Sequence, residues 1–278
     1  MNEIWQKQLD ESKIRILEKK QRSKYKSWLL KIGVCLLILY LLFPQYLRRM
    51  VYPFMFGKPT AEPLQISVAD EFEDITAAPF KYTRGGQVYV LQPRTKYKVT
   101  GRVGIIDDYS TLRNRIFRGQ FQGNYINLVP RDLFLVIGKL ADPQVFKLFE
   151  FEHEERMGTM LCKGVEYSKS FMPKMLSEKE YQKSQEKYKN CQRYMNGADL
   201  NNYHPIPANE RINKALSMLV AGDVVHLEGI LVDVPAMRLN TGTRKNQKHK
   251  NQVVSGYEPG MCFILYTTKV ILNGRVYE

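Results

Sequence analysis

Short catalytic signatures are what this chain lacks. Its 278 residues contain no GxGxxG turn, no phosphate-binding GxxxxGK[ST] loop and no HExxH helix, so the common dinucleotide, nucleotide and zinc-protease chemistries have no anchor here. Cysteine is scarce: Cys35, Cys162, Cys191 and Cys262 are the four. No two are spaced as CxxC, which excludes a thioredoxin-type redox motif and a zinc knuckle. Histidine is equally scarce, with four residues. His226 alternates with Glu228 but has no third ligand, and His153 stands in a run of Glu; no metal and no cofactor is expected. Small-x-small cleavage sites are missing after the first apolar run, which argues against a removed signal peptide.

That run is the dominant positive feature. Trp28–Leu47, WLLKIGVCLLILYLLFPQYL, is free of charge from Ile32 to Phe43. At about 1.5 Å per residue, twenty helical residues cover the roughly 30 Å of bilayer hydrocarbon. Lys31 is placed to snorkel, Pro44 lies where a lost backbone bond costs little, and Trp28 and Tyr46 suit the interfacial belts. Residues 1–27 carry eight Lys/Arg against four Asp/Glu. The positive-inside rule then predicts a single-pass membrane protein, with residues 1–27 a cytoplasmic basic tail and the bulk extracytoplasmic.

The net charge of +14 is unevenly spread, since residues 61–278 hold thirty basic against twenty-four acidic side chains. About half the excess therefore lies beside the span, where anionic lipid is the simplest partner. Two basic loops stand out. Arg113, Arg115 and Arg118 are interleaved with aromatics, and Arg244, Lys245 and Lys248 belong to the stretch RLNTGTRKNQKHK. Such loops can hold phosphate or stack on bases, although a solvated surface loop has the same composition.

Residues 48–80 read as a linker, because Pro53, Pro59, Pro63 and Pro79 forbid long helices. Residues 81–278 read as one domain. Gln87–Leu91 is a strand, and after Pro93 a second runs over Tyr97–Ile106 with a bulge at Gly101. Asp132–Leu140 is apolar and of ambiguous type; Val145–Glu155 suits a strand. Leu176–Met195 is helical, with Ser177 and Glu180 as a capping box. The next helix begins with Pro207 in its first turn and stops at Gly222. GDVVHLEGILVDV, Gly222–Val234, alternates as a strand that Gly229 allows to bend, and Met261–Leu272 is the last strand. The fold class is α+β: one N-terminal transmembrane helix over 28–47, then an extracytoplasmic domain with a small curled sheet or an OB- or SH3-like barrel and two main helices.

His204 and Cys262 are the candidate catalytic residues. A thiolate and an imidazole are the minimum for acyl transfer, and Asn201, Asn202 or Asp199 is placed to orient the ring. The competing reading gives His204 a turn-capping role and Cys262 a packing role. Cys162 and Cys191 are expected to act as small apolar residues, with a bridge the alternative in an oxidising compartment.

The blocks YKVTGRV, the Asp132-Leu133 run ending IGKLAD, HPIPAN (204–209), GDVVHLEGILVDV and Gly260-Met261-Cys262 together carry a resemblance. The chain resembles a bacterial family of single-pass, N-terminally anchored membrane proteins whose activity is uncharacterised. The family is rich in Ser and Arg before the last Cys, where this chain has VVSGYEPGM. Three functions stand in order: a binding or scaffold module for another envelope protein, a membrane-anchored Cys/His hydrolase, and a nucleic-acid-binding component of a transfer system. Membrane lipid and an envelope protein are the expected partners, with nucleic acid behind them.

Overall fold

The computed structural model describes residues 28–35, 44–60, 64–66, 71–109, 124–154, 157–165, 178–195, 200–242 and 262–278. The chain divides into two compact units, Met1–Val51 and Tyr52–Glu278. In the first, residues 28–35 are helical and mostly exposed. The centre of the expected span, residues 36–43, lies outside the described residues; among those described, no helix is long and apolar enough to cross a membrane. Helix α1, Pro44–Phe56, runs through Pro53, which a helix tolerates when one backbone bond is forgone. Part of the expected linker is therefore regular. Tyr52 and Phe56, one turn apart, pack against the core of the second unit, which also includes the short strands β1 (Lys58–Pro59) and β2 (Glu71–Asp74).

The second unit is α+β with a mixed sheet. Its frame is β4, Gln87–Asp108, a single strand of 22 residues. Two strands separated at Pro93 are expected from sequence; one is found, because the register shifts between Pro93 and Thr95 and no backbone N–H is needed there. The second shift falls between Val103 and Ile105, around Gly104, while Gly101 keeps regular pairing with Val225. These two irregularities let β4 curl and pair along its length with different partners. β5 (Arg131–Val136) and β9 (Val224–Asp233) flank it, both antiparallel. β5 pairs with β8 (Leu200–Pro207), β8 runs parallel to β10 (Cys262–Leu272), and β10 returns antiparallel to β9. The circuit β4–β5–β8–β10–β9–β4 is closed. At Gly229 a Cβ would collide with the Tyr266 carbonyl oxygen, so this position admits only glycine where β9 and β10 come closest.

Tyr97, Val99, Leu133, Leu135, Tyr203, Leu227, Phe263 and Leu265 fill the circuit with one apolar cluster. Tyr97 and Tyr203, on strands that are not neighbours, meet hydroxyl to hydroxyl at 2.5 Å across it. Helix α2, Glu210–Leu216, buries Ile212, Ala215 and Leu216 in the same cluster. Its N-cap is Asn209, which accepts a hydrogen bond from the Ile212 N–H at 3.0 Å; Pro207, expected in the first turn, instead ends β8.

Two further clusters cover the outside of the strands. One is built from Tyr89, Leu91, Leu128, Ile206 and Ile264, with β3 (Phe80–Arg84) hairpinned onto β4. The other joins Phe134 and Val136 to the β6–β7 hairpin (Phe149–Glu154 and Met157–Cys162) and to the 18-residue helix Glu178–Met195. The ambiguous run resolves as β5 plus a 3-10 turn, Gly138–Ala141. Val145–Glu155 divides into a short helix, Pro143–Phe146, capped by Asp142, and then β6. Cys162 and Cys191 form a disulfide with Cα atoms 5.9 Å apart. This corrects the expectation of simple packing: the helix lies over the hairpin and brings the two buried sulfurs together.

Candidate active site

β5, β8 and β10 are neighbours, and side chains alternate between their faces. Leu133, Tyr203 and Phe263 are paired or adjacent and turn into the barrel. Their sequence neighbours turn out. The register pairs Cys262 with Asn202 and Ile264 with His204, and one step beyond the Leu133–Tyr203 pair places Asp132 beside His204. A polar row, Asp132–His204–Asn202–Cys262, thus interrupts an otherwise apolar outer layer.

His204 Nδ1 lies 2.6 Å from Asp132 Oδ1, and both side chains are buried, at 8% and 0% exposure. Tyr109 donates its hydroxyl to the second carboxylate oxygen at 2.8 Å. Tyr125 packs edge-on against the imidazole, its ring centroid 6.4 Å away. With Nδ1 occupied by Asp132, the other ring nitrogen remains for the neighbouring Cys262 thiol, with which His204 interacts electrostatically. Asn202 Nδ2 is 3.5 Å from Cys262 Sγ on the other side. Cys262 is only half-buried and unbridged.

The electrostatics follow from these contacts. Burial alone would discharge His204, but the Asp132 carboxylate and the thiolate outweigh it and push the imidazole up to about 9. Burial likewise raises the Cys262 thiol. The hydrogen bonds and charge of His204, with the Asn202 amide, more than reverse that and hold it below its ordinary value. Opposite shifts on adjacent groups are the condition for a thiolate–imidazolium pair.

The two residues singled out by sequence, His204 and Cys262, are therefore brought together. The residue that orients the ring is Asp132, not Asn201, Asn202 or Asp199. Asn202 serves the sulfur instead, and Asp199 lies outside the described residues. The signal for Asp132 was a lone carboxylate in a run buried on both faces, since such a charge needs a partner. His226 belongs to a separate network on the barrel wall, with Thr100 at 2.7 Å, Glu228 at 2.8 Å and Lys269 on the same carboxylate. Among the described residues no three His, Cys, Asp or Glu side chains are grouped to hold a metal. Arg113, Arg115, Arg118, Arg244, Lys245 and Lys248 lie outside the described residues. Comparison with protein families, with characterised proteins and with solved structures finds no match.

Proposed function

We propose that this protein is a membrane-anchored thiol enzyme that transfers or hydrolyses acyl groups, with Cys262 as nucleophile, His204 as general acid–base and Asp132 holding the imidazole. The carrying observation is the buried Asp132–His204 pair set beside an unbridged, partly exposed thiol. The thiolate attacks an acyl carbon, forming a C–S bond as the carbonyl electron pair moves to oxygen. Collapse breaks the bond to the leaving amine, alcohol or thiol, which takes the proton of the His204 imidazolium. Neutral His204 then deprotonates water, or another acceptor, for attack on the thioester. This reading ranks above a docking module because a docking surface has no use for a thiol set beside a carboxylate-bound imidazole.

The anchor rests on the apolar run 28–47. Exposed Trp28, Leu30, Phe54 and Met55 suit lipid contact, and the Cys162–Cys191 disulfide suits an oxidising, extracytoplasmic setting. The test is alkylation of the detergent-solubilised full chain by iodoacetamide at pH 6.5, followed peptide by peptide. Cys262 should react at least about tenfold faster than glutathione, as expected of a thiol held ionised below its free pKa, and His204→Ala should abolish the excess. A rate equal to that of glutathione, unaffected by the substitution, removes the enzyme reading.

A second reading draws on topology. The strand circuit, the parallel β8–β10 pair and α2 between β8 and β9 support an OB-type barrel. In such barrels the connections between the first two and the last two strands bind oligonucleotides and oligosaccharides. Here those are the β4–β5 and β9–β10 connections, which carry the two basic segments. Single-stranded oligonucleotide binding that weakens steeply with salt supports this reading; binding insensitive to salt, or none, removes it.

A further inference from the structure

Resting on that reading, we infer that Asn202 is the oxyanion donor of the Cys262 reaction. Acyl transfer needs a hydrogen-bond donor where negative charge arrives, and that point lies one bond beyond the sulfur. Asn202 meets three requirements. It is the register partner of Cys262 on the parallel strand β8, so the two side chains leave the same face one strand spacing apart, about 4.8 Å. Its Nδ2 is 3.5 Å from Sγ, an ordinary N–H···S separation that also leaves it within reach of an atom bonded to the carbon that sulfur attacks. Asn202 is also buried, where a fixed amide dipole needs no reorganisation and acts with little screening.

The orientation of the amide follows from charge. Asn202 Nδ2, not Oδ1, faces Sγ, and a sulfur whose ionised form is favoured by His204 attracts the NH₂ end and repels the carbonyl end of the side chain. As the C–S bond forms, sulfur becomes a neutral thioether and that hydrogen bond loses most of its worth. The carbonyl oxygen gains the charge within reach of the same NH₂ group. Asn202 thereby follows the negative charge from sulfur to oxygen while its strand stays still. Among the described residues the other group at Sγ is His204, whose proton is committed to the leaving group.

Two electrophiles separate this role from simple thiolate stabilisation. Iodoacetamide reacts by displacement at a saturated carbon and creates no oxyanion. p-Nitrophenyl acetate acylates through a tetrahedral oxyanion. Both rates are measured at Cys262 of the solubilised full chain, above the pH at which the thiol is fully ionised, for the wild type, Asn202→Ala and Asn202→Gln. Asn202→Ala should slow acylation by about 100-fold, the usual loss for one oxyanion donor, and change alkylation by no more than a few-fold. Asn202→Gln should recover part of the acylation rate. Retained alkylation also reports that the variant is folded, since fast alkylation needs His204 in place. Equal losses with both reagents, or no loss with either, overturn the assignment while leaving the thiol enzyme standing. A wild type that alkylates and acylates no faster than free cysteine overturns both.

Discussion

Two histidines stand on the barrel wall, each hydrogen-bonded to a carboxylate at nearly the same distance: 2.6 Å for His204–Asp132 and 2.8 Å for His226–Glu228. Their surroundings differ. Asp132 is wholly buried and divides its oxygens between Tyr109 and His204. Glu228 is 35% exposed and shares one oxygen between His226 and Lys269. The first pair faces a thiol, the second a threonine hydroxyl. On the proposed reading, a histidine–carboxylate pair is thus a catalytic device in one place and a partly exposed link along one strand in the other, and burial makes the difference, because water screens the second pair more than the first.

Removing each carboxylate breaks the comparison most directly. Asp132→Ala should cost about 3–5 kcal/mol in urea unfolding, since it strands a buried imidazole without its counter-charge. Opening the Cys162–Cys191 bridge by substituting both residues with Ala asks whether the His204 region depends on the layer covering it. A 29-residue separation predicts a stability loss of about 3.6 kcal/mol, with the Cys262 alkylation rate unchanged.

The pH dependence has a definite sign. His204 has its folded pKa raised from 6.5 to about 9, so the stabilisation it contributes is complete below pH 6.5 and is lost as the pH climbs toward 9. Cys262 shifts the opposite way, so the measurement is made on Cys262→Ser. The stability gap between that variant and its Asp132→Asn derivative should be widest below pH 6.5 and close on the alkaline side; a gap that widens toward pH 9 contradicts the ion pair. Tyr109→Phe removes one neutral donor and should cost about 1 kcal/mol. Glu228→Ala should cost less than about 1 kcal/mol, and a loss equal to that of Asp132→Ala would show that burial does not separate the two histidines.

Residue types were legible where the chain has few of them. One spare thiol and one histidine beside a Pro-rich segment were enough to nominate Cys262 and His204. Their contact was not legible, because it depends on a parallel pairing between strands far apart in sequence, which no local pattern encodes. Asp132 was overlooked for a related reason: the run Asp132–Leu140 has no clear period, and its carboxylate has meaning only once the strand is known to be covered on both sides. The alternation of GDVVHLEGILVDV gave β9 directly, while the role of Gly229, a close approach to the Tyr266 carbonyl, shows only in the packing. Pro93 misled, since a proline that breaks a flat strand is tolerated at a shift in a curled one. Sequence could nominate the Cys162–Cys191 bridge but not decide it, because the packing of a helix on a hairpin brings those sulfurs together.

The parallel seam between β8 and β10 has a temporal consequence. His204 is made early in the chain's second half, but its sulfur partner arrives only with the last long strand, which must slot between two strands already in place. Until then Cys262 is an ordinary thiol, mostly protonated near neutrality and slow toward electrophiles. On the proposed reading, a chain whose last long strand has not yet docked therefore carries its thiol unarmed, and reactivity switches on only when the ring of strands shuts.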